Sequence, residues 1–407
     1  MSHNAIVQEL QDQINSDAEF KQSLESGFAL AYASGISQFT EYNIHNLDDF
    51  LKYLDEYVNW VPTENRNGTN VYDHICLCYF VFDLPAAVSY QDPIEPSQIT
   101  PKRFLTKWLI KYAQEMGRWM DTPESISPEA IATFYAAEAY HMQDYPVPEE
   151  GWNTFNEFFA RKINPDVRPI ASPADDSVIV SPADCSFDGV WDISDPNADI
   201  TIKGIPWTIQ QLLEGYDQDL GKLFAGGKFT HSFLGPADYH RQHAPVSGRV
   251  VTAKVIPGIC YLEVVLHAGD KRDGCPVLGG HRYMRRHDDK HIPKARRPLP
   301  MTLSDGPGLD APDSAGYQFL QARGLILIDN PVLGLVAVLP VGMAQVSSVV
   351  PSVKAGDIVR KGDEISKFQL GGSDICMVFQ KGANVTFHQE IGKHYNFGVQ
   401  VAKASPA

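Results

Sequence analysis

The stretch FQLGGSDICMVF, residues 368–379, places a glycine pair and a serine directly before an apolar run. The apolar run has the length and composition of a buried β-strand, and the glycine pair predicts a turn in front of it. Because Gly371 and Gly372 have no side chains, the carbonyl of Gly372 is open to approach and the backbone can adopt a strained conformation. Taken alone, however, a Gly-Gly-Ser sequence between strands most often marks an ordinary turn.

Short β-branched runs of the same kind recur from about residue 175, with Gly, Pro and Asp between them. They lie at residues 177–180, 200–202, 248–255, 261–266, 324–328, 333–339 and 346–350. Runs of this length separated by turn signals predict a mainly antiparallel β domain, with one helical insertion at residues 209–216.

The first 150 residues have a different pattern, which predicts a helical domain. Apolar residues recur at helical spacing in one segment, at Phe104, Leu105, Trp108, Leu109, Tyr112, Met116 and Trp119. A second helix is expected to start at Ser127 as N-cap, with Pro128 in the first turn, and to run to about His141. Residues 8–30 and 47–60 are further candidates.

A Pro- and acid-rich stretch at residues 145–150 ends the helical pattern and predicts a boundary. We therefore expect an α+β protein, with an acidic helical domain over residues 1–150 and a β domain over residues 151–407. The first part holds 23 acidic and 8 basic side chains of a chain whose net charge is −16. Such an acidic region argues against binding to nucleic acid or to anionic membranes.

Composition sets further limits. The chain has 407 residues, 43% of them hydrophobic, which is enough for two or three packed domains. It has no apolar stretch of the roughly 18 to 20 residues that a membrane span needs, and its N-terminus is polar, so a cytoplasmic protein is expected. None of the six cysteines has CxxC spacing, so reduced thiols and no metal site are expected.

Residues 271–297 form a basic segment with nine Lys or Arg, three Asp and three His. Apolar periodicity is weak there, which predicts a surface loop. The alternative is a lid or an anion-contacting element near an active site.

Three separated segments carry candidate chemistry. They are SPADC at residues 181–185, DYHRQH at 238–243 and the 368–379 stretch. Together they supply Asp184, His240, His243 and Ser373, the side chains of an orienting carboxylate, a base and a nucleophile. Each segment alone is weak, because HxxH is more often a pair of packed or surface histidines, and SPAD occurs a second time at residues 172–175 as an ordinary turn.

In this order and at these separations, the three segments resemble the phosphatidylserine decarboxylase family. The segment FNEFFARKI at 155–163, with RPI at 168–170, and the segment VKAGDIVRKGDE at 353–364 also resemble that family, and the likeness covers about residues 152–385. It implies self-cleavage between Gly372 and Ser373, with Ser373 converted to a covalent pyruvoyl group. The products would be a large chain, 1–372, and a small chain, 373–407, and no external cofactor would be needed.

The resemblance also implies roles for single residues. His243 would take the proton from Ser373, with Asp184 holding the imidazole in the required tautomer. His240 would protonate the carbanion left after carbon dioxide departs. Asp238 and Tyr239 are weaker candidates for contact with the substrate.

Two features favour one branch of the family, the relatives of the fungal L-tryptophan decarboxylase of psilocybin synthesis. They are the added helical domain and the segments DNP at 329–331 and LPVGM at 339–343. The expected substrate is then a free L-amino acid, with an aromatic one such as tryptophan favoured. Two residues depart from the usual pattern: Asp374 where many members have Thr or Ser, and Cys185 where Gly is usual.

Two other functions stay open. A phosphatidylserine decarboxylase would apply the same chemistry to a lipid head group, and residues 1–150 show no apolar face suited to a membrane. A non-catalytic carrier or binding module is suggested by residues 354–363, which resemble the hairpins of lipoyl and biotinyl domains; such a module needs a lysine at the exposed turn, and residues 371–373 offer none. A homo-oligomer is possible.

Overall fold

We analysed a computed structural model. It describes residues 3–93, 100–195, 198–202, 205–213, 220–262, 264–272, 275–280, 320–342, 348–370 and 372–405. The side chains of residues 201–202, 205–206, 265–272, 275–280 and 372–373 are outside this description. Residues 271–272 and 275–280 of the basic segment are in β-strands, so the surface loop predicted over 271–297 was wrong for those residues. The rest of the segment lies outside the described residues, and the loop stays a prediction there.

Helices make up the N-terminal part of the chain. They are α1 Ala5–Ser16, α2 Ala18–Ala33, α3 Ser37–Glu41, α4 Leu47–Tyr57, α5 Asn70–Phe80, α6 Pro85–Val88, α7 Phe104–Met120, α8 Pro128–Ala136 and α9 Phe155–Phe159, with α10 Ile209–Leu213 inside the β region. Short 3-10 turns follow at Pro123–Ser125, Glu138–Tyr140, Met142–Asp144, Pro165–Val167, Leu220–Phe224 and Lys381–Ala383.

The helices at 104–119 and 47–60 are confirmed in type, whereas two predicted helices differ in extent. The segment 8–30 is divided between α1 and α2, because the carboxylate of Asp17 accepts the Phe20 N–H at 3.0 Å and caps a new helix. The helix predicted to reach His141 ends at Ala136, and His141 itself has a left-handed backbone with φ 43°. As predicted, the Ser127 hydroxyl caps this helix.

Strands dominate the rest of the chain. They are β1 Val178–Val180, β2 Cys185–Asp192, β3 Asp199–Ile202, β4 Ile205–Thr208, β5 Lys228–Phe233, β6 Arg241–His243, β7 Gly248–Ile256, β8 Val264–Arg272, β9 Cys275–Gly280, β10 Arg323–Asn330, β11 Gly334–Gly342, β12 Val349–Pro351, β13 Ile358–Val359, β14 Glu364–Phe368, β15 Gly372–Phe379, β16 Val385–Phe387, β17 His394–Tyr395 and β18 Gln400–Ala404. The named strands pair antiparallel, which confirms the predicted α+β class.

The main sheet has eight strands in the order β13-β7-β10-β11-β15-β5-β2-β17. Strand β15, which contains Gly372 and Ser373, therefore lies in the interior of the sheet between β11 and β5. Its side chains alternate between two cores, as the pleat of a strand requires. Cys376 and Val378 pack in the core that also contains the helices, whereas Ile375 and Met377 pack on the opposite face.

The β15 strand is irregular where the predicted cleavage bond lies. Val341 of β11 is paired with Asp374, but the next residue, Gly342, is paired with Gly372. Ser373 is therefore the extra residue of a β-bulge. Bulges redirect the local chain and often lie beside functional sites.

A buried contact joins the helical part to the β part. The carboxylate of Asp83, after α5, accepts a hydrogen bond from the Tyr261 hydroxyl and another from the Val264 N–H at 2.8 Å. The strand predicted at 261–266 begins only at Val264. None of the helices in the described ranges is both long and apolar enough to cross a bilayer.

Candidate active site

His243 ends strand β6 and is held on both ring nitrogens. Its Nδ1 lies 2.7 Å from the carbonyl oxygen of Gly362, and its Nε2 lies 3.2 Å from the hydroxyl of Tyr239. Gly362 has φ 89°, a conformation that favours glycine and that places its carbonyl at the ring. The ring of Phe397 stacks on the imidazole at 3.9 Å, so the position of His243 is fixed from three sides.

The protonation state of His243 follows from these contacts. Burial lowers the pKa of His243, so the ring is neutral at neutral pH. Because a carbonyl oxygen only accepts, Nδ1 carries the hydrogen and Nε2 keeps its lone pair. Burial raises the pKa of Tyr239, so its hydroxyl stays protonated and donates to Nε2. His243 is thus a neutral base whose available lone pair is on Nε2.

Asp184 does not bond His243, and the direct contact predicted from the sequence was wrong. Its carboxylate accepts two hydrogen bonds from Nε of Arg168 at 3.2 Å, one from Nη2 at 2.6 Å, and one from the Phe397 N–H at 2.8 Å. The Gly362 carbonyl, not Asp184, sets the tautomer of His243. Asp184 acts on that ring by holding Phe397, which stacks on it, and through its negative charge, which opposes the lowering of the His243 pKa by burial.

His240 lies in the same segment but in a different environment. It is 1% exposed and stacks on Phe159 of α9 at 4.0 Å. In the described part of the chain, neither ring nitrogen has a hydrogen-bond partner. Burial, with a smaller contribution from the positive charge of Arg161, lowers the pKa of His240 to about 3. His240 is therefore neutral at neutral pH and has both nitrogens available.

Arg161 follows α9 and is 2% exposed. No group among the described residues hydrogen-bonds its Nε or either Nη. The guanidinium instead faces aromatic rings, with its central carbon 4.0 Å from the ring centre of Tyr145 and 5.2 Å from that of Phe158. A buried cation without a hydrogen-bonded partner is costly, and such groups are concentrated at functional sites.

Asp238 and Tyr239, the weaker substrate-contact candidates, both have structural partners. The carboxylate of Asp238 accepts the Gly235 N–H at 2.6 Å, which closes the turn that follows β5. Its other oxygen lies 2.8 Å from Nε2 of His394, and this bond raises the pKa of His394. Whether either residue also contacts a substrate stays a prediction.

The segment before the predicted cleavage bond lies against these histidines. The N–H of Phe368 donates to the carbonyl of His240 at 2.9 Å, and the N–H of Leu370 donates to Oδ1 of Asn156 at 3.1 Å. On the other side of the bond, Asp374 pairs with Phe233, whose strand leads directly into the 234–240 loop. The backbone thus brings residues 372–373 to the His240 and His243 segment, although the side chain of Ser373 is not described.

A second buried cluster, which sequence reasoning missed, lies beside the same bond. Nε2 of His231 is 2.8 Å from Oδ1 of Asp374, and its Nδ1 is 2.8 Å from Oδ2 of Asp188. Burial alone would lower the pKa of His231, but the two carboxylates outweigh it and raise that pKa to about 10. The three residues are spaced as metal ligands could be. A protonated ring bonded on both sides accounts for the spacing without an ion.

A family model for phosphatidylserine decarboxylase matches residues 155–403. The chain belongs to the phosphatidylserine decarboxylase family. The match begins at α9 and ends in β18, so it includes every residue of the candidate site described above except Tyr145. This decarboxylase is accordingly a carboxy-lyase.

Individual relatives support the assignment. Decarboxylase iboD of Amanita muscaria is 29% identical over 66% of this chain and 71% of its own length. Phosphatidylserine decarboxylase proenzyme 3 of Schizosaccharomyces pombe is 30% identical over 73% of this chain, but the match spans only 25% of that protein. The phosphatidylserine decarboxylase proenzyme of Fusobacterium nucleatum is 27% identical over 70% of this chain and 75% of its length.

The residues present in this decarboxylase fit the pyruvoyl group that the family uses. Gly372 has no side chain to block its carbonyl, and Ser373 is the unpaired residue of a bulge, where the chain can bend for attack. His243 is a neutral base on the segment that adjoins this bond. In such a site Ser373 would carry the group, and His240, His243 and Arg161 would surround the reaction.

The sequence identified Asp184, His240, His243 and Ser373 as candidates, but it did not predict several of the residues that contact them. Arg161 and Arg168 stood in the quoted family motifs, and the position of Arg161 directly after Phe158, Phe159 and Ala160 was a signal of burial. His231 was visible as an imidazole within an otherwise apolar strand. The contacts of Gly362 and Phe397 depend on chain folding across more than 100 residues, and no local pattern predicts them.

Proposed function

We propose that this chain is a self-processing, pyruvoyl-dependent decarboxylase of a free L-amino acid, with an aromatic amino acid such as tryptophan favoured. The observation that carries the proposal is the neutral His243 of strand β6, fixed by the Gly362 carbonyl; β6 pairs with β14, the strand that leads to the bulge at Gly372 and Ser373. The family assignment supports the decarboxylation, and the resemblance to iboD extends over most of both chains.

Self-processing needs a base and a reachable carbonyl. In the proposal, Nε2 of His243 takes the hydroxyl proton of Ser373, and the serine oxygen attacks the Gly372 carbonyl to give an ester. Elimination then cleaves the chain, and hydrolysis of the new terminus releases ammonia and leaves the ketone. Because the Tyr239 hydroxyl donates to Nε2, this hydrogen bond must break before Nε2 can accept the serine proton. In the proposal, Tyr239 therefore controls when His243 can act as a base.

The pyruvoyl group supplies an electrophilic carbonyl that binds the substrate amine and accepts the electrons left by carbon dioxide. The charge of Arg161 favours this electron gain, because a cation in a dry site stabilises developing negative charge strongly. It also helps to keep His240 neutral. His240 is neutral in the resting site, so its ring must first take up a proton before it can protonate the carbon left by carbon dioxide.

The test is Ser373→Ala, compared with Ser177→Ala. Ser177 is a half-buried serine whose hydroxyl donates to the nearby Asp175. We expect the Ser373 variant to stay whole on a denaturing gel and to release no carbon dioxide from tryptophan, whereas the control is cleaved and active. A Ser373→Ala protein that still released carbon dioxide would refute the proposal.

A phosphatidylserine decarboxylase is the second candidate, supported by the relatives named for that activity. Assay of the cleaved protein on free aromatic amino acids and on phosphatidylserine vesicles separates the two substrates. The third candidate is a non-catalytic lipoyl-like module. The denaturing gel of the unmodified protein tests it, because a binding module would stay whole.

A further inference from the structure

The cluster of Asp188, His231 and Asp374 lies next to the residue that is proposed to become a chain end. Cleavage between Gly372 and Ser373 would leave residue 373 covalently attached to Asp374 alone. Its position would then depend on how firmly Asp374 is held.

Asp374 is the first residue of β15 with main-chain pairing on both sides. It pairs with Phe233 of β5 and with Val341 of β11. Gly372 pairs only with Gly342, and Ser373 is left out of the register by the bulge. The backbone is thus ordered by both neighbours from Asp374 onward, but not before it.

The side chain of Asp374 adds a second anchor. It bonds His231 of β5, which in turn bonds Asp188 of β2, each at 2.8 Å. These ion pairs therefore link three adjacent strands of the main sheet. All three side chains are at most 2% exposed, so solvent does not weaken the ion pairs.

A bulge in β2 turns Asp188 toward the ring. Phe187 pairs with Ser232 and Gly189 pairs with His231, which leaves Asp188 as the extra residue. A side chain at Gly189 would meet the Trp191 ring at 2.8 Å, so that ring would have to shift to admit one. The β2 backbone is therefore shaped to present Asp188 to His231.

Stability alone does not explain such a cluster. Replacing buried ion pairs by apolar side chains is often neutral or stabilising, because burying charge is costly. What a buried network of ion pairs supplies is a single, defined geometry. That property is useful directly after a residue whose other covalent neighbour is lost.

We propose that Asp374, His231 and Asp188 form a positioning network that fixes residue 373 for the chemistry of this site. None of the three needs to touch the substrate. The proposal rests on the proposed function, because it assumes cleavage at residue 373.

The experiment uses the full chain with Asp374→Asn, Asp188→Asn and the control Asp192→Asn. Asp192 ends β2 and is exposed, and its carboxylate pairs with Lys228 at the surface. Intact mass gives the extent of cleavage, phenylhydrazine titration counts ketones and gives their reaction rate, and kcat is expressed per ketone.

We expect Asp192→Asn to match the wild type. Asp374→Asn should lower kcat per ketone on the order of 10- to 100-fold with KM within about twofold, since small misplacements cost rate and not affinity. Its ketone should also react with phenylhydrazine at a changed rate.

Asp188→Asn, which leaves the Asp374 contact in place, should show the same pattern with a smaller loss of kcat per ketone. A folded Asp374→Asn protein that fails to cleave also supports the proposal, because attack by Ser373 needs the same anchor.

Unchanged kcat per ketone and phenylhydrazine rate in Asp374→Asn would overturn the proposal and reduce the cluster to packing. If Asp374→Asn does not fold, the kcat per ketone and the phenylhydrazine rate of Asp188→Asn test the proposal in its place. A wild-type chain that stays whole and has no ketone would overturn the proposed function together with this proposal, whereas a cleaved wild type with fully active variants would overturn the network alone.

Discussion

At the scale of single residues, buried charge distinguishes the candidate site from the ordinary core. Arg161 is almost fully buried without a hydrogen bond, and His240 beside it is neutral and unbonded within the described chain. Neither arrangement favours folding. Both are explained if the protein accepts some loss of stability for a reaction that develops negative charge.

Replacing Arg161 by Met tests whether this residue lowers stability and raises activity. The side chain is similar in length and apolar, so the burial cost of the charge disappears while most packing remains. We expect the free energy of unfolding in urea to rise by about 1 kcal/mol and turnover to fall roughly tenfold or more. Arg66→Met, at an exposed position, is the control. A loss of stability in Arg161→Met would instead assign Arg161 a structural role on Tyr145 and Phe158.

The sequence predicted which residue types form the site but not how they connect. Asp184, His243 and Ser373 were identified by their order and by family resemblance, not by any local pattern. The sequence suggested an Asp–His pair because that arrangement is common. A backbone carbonyl has no sequence signature, so the part played by Gly362 became visible only when the turn at residues 360–363 was placed against β6.

At the scale of elements, the helical and β parts meet through the buried Asp83. Burial raises the pKa of Asp83 to about 8, although bonds from Tyr261 and the Val264 N–H act against the rise. The ordinary value near 3.8 applies when the chain is unfolded, so folding takes up a proton between these two values. The contribution of Asp83 to the free energy of unfolding is therefore fully present below about pH 4 and is lost as the pH rises toward 8.

Asp83→Asn should remove this dependence. We expect the wild type to lose up to about 1.4 kcal/mol of stability per pH unit relative to the variant between pH 5 and pH 8. Urea unfolding at three pH values measures the slope, and Asp12→Asn, at an exposed position, is the control. Equal slopes in wild type and Asp83→Asn would show that Asp83 does not titrate in this range.

Element types were predictable where the pattern is periodic and local. The helix α7 and the strands β10 and β11 follow directly from their apolar spacing. One boundary failed where a side chain intervened, at Asp17, which caps α2 and divides one predicted helix in two. Such a cap competes with the periodic pattern.

At the scale of the whole molecule, cleavage would not separate the two chains. The proposed small chain, 373–407, supplies β15 in the interior of the main sheet and β18 between β1 and β16. Removing it would expose strand edges and apolar side chains of both cores. We expect gel filtration without denaturant to give one species containing both chains, which separate only in denaturant. Elution of a free small chain under native conditions would contradict this account.

The central claim is that Ser373 becomes a pyruvoyl group, and the intact mass of the purified wild-type chain tests it most directly. The account predicts two chains, one ending at Gly372 and one beginning at residue 373. The second should be lighter, by the mass of one ammonia, than a chain with an N-terminal serine. A single uncleaved chain in an active preparation, or a small chain that keeps its serine, would contradict it.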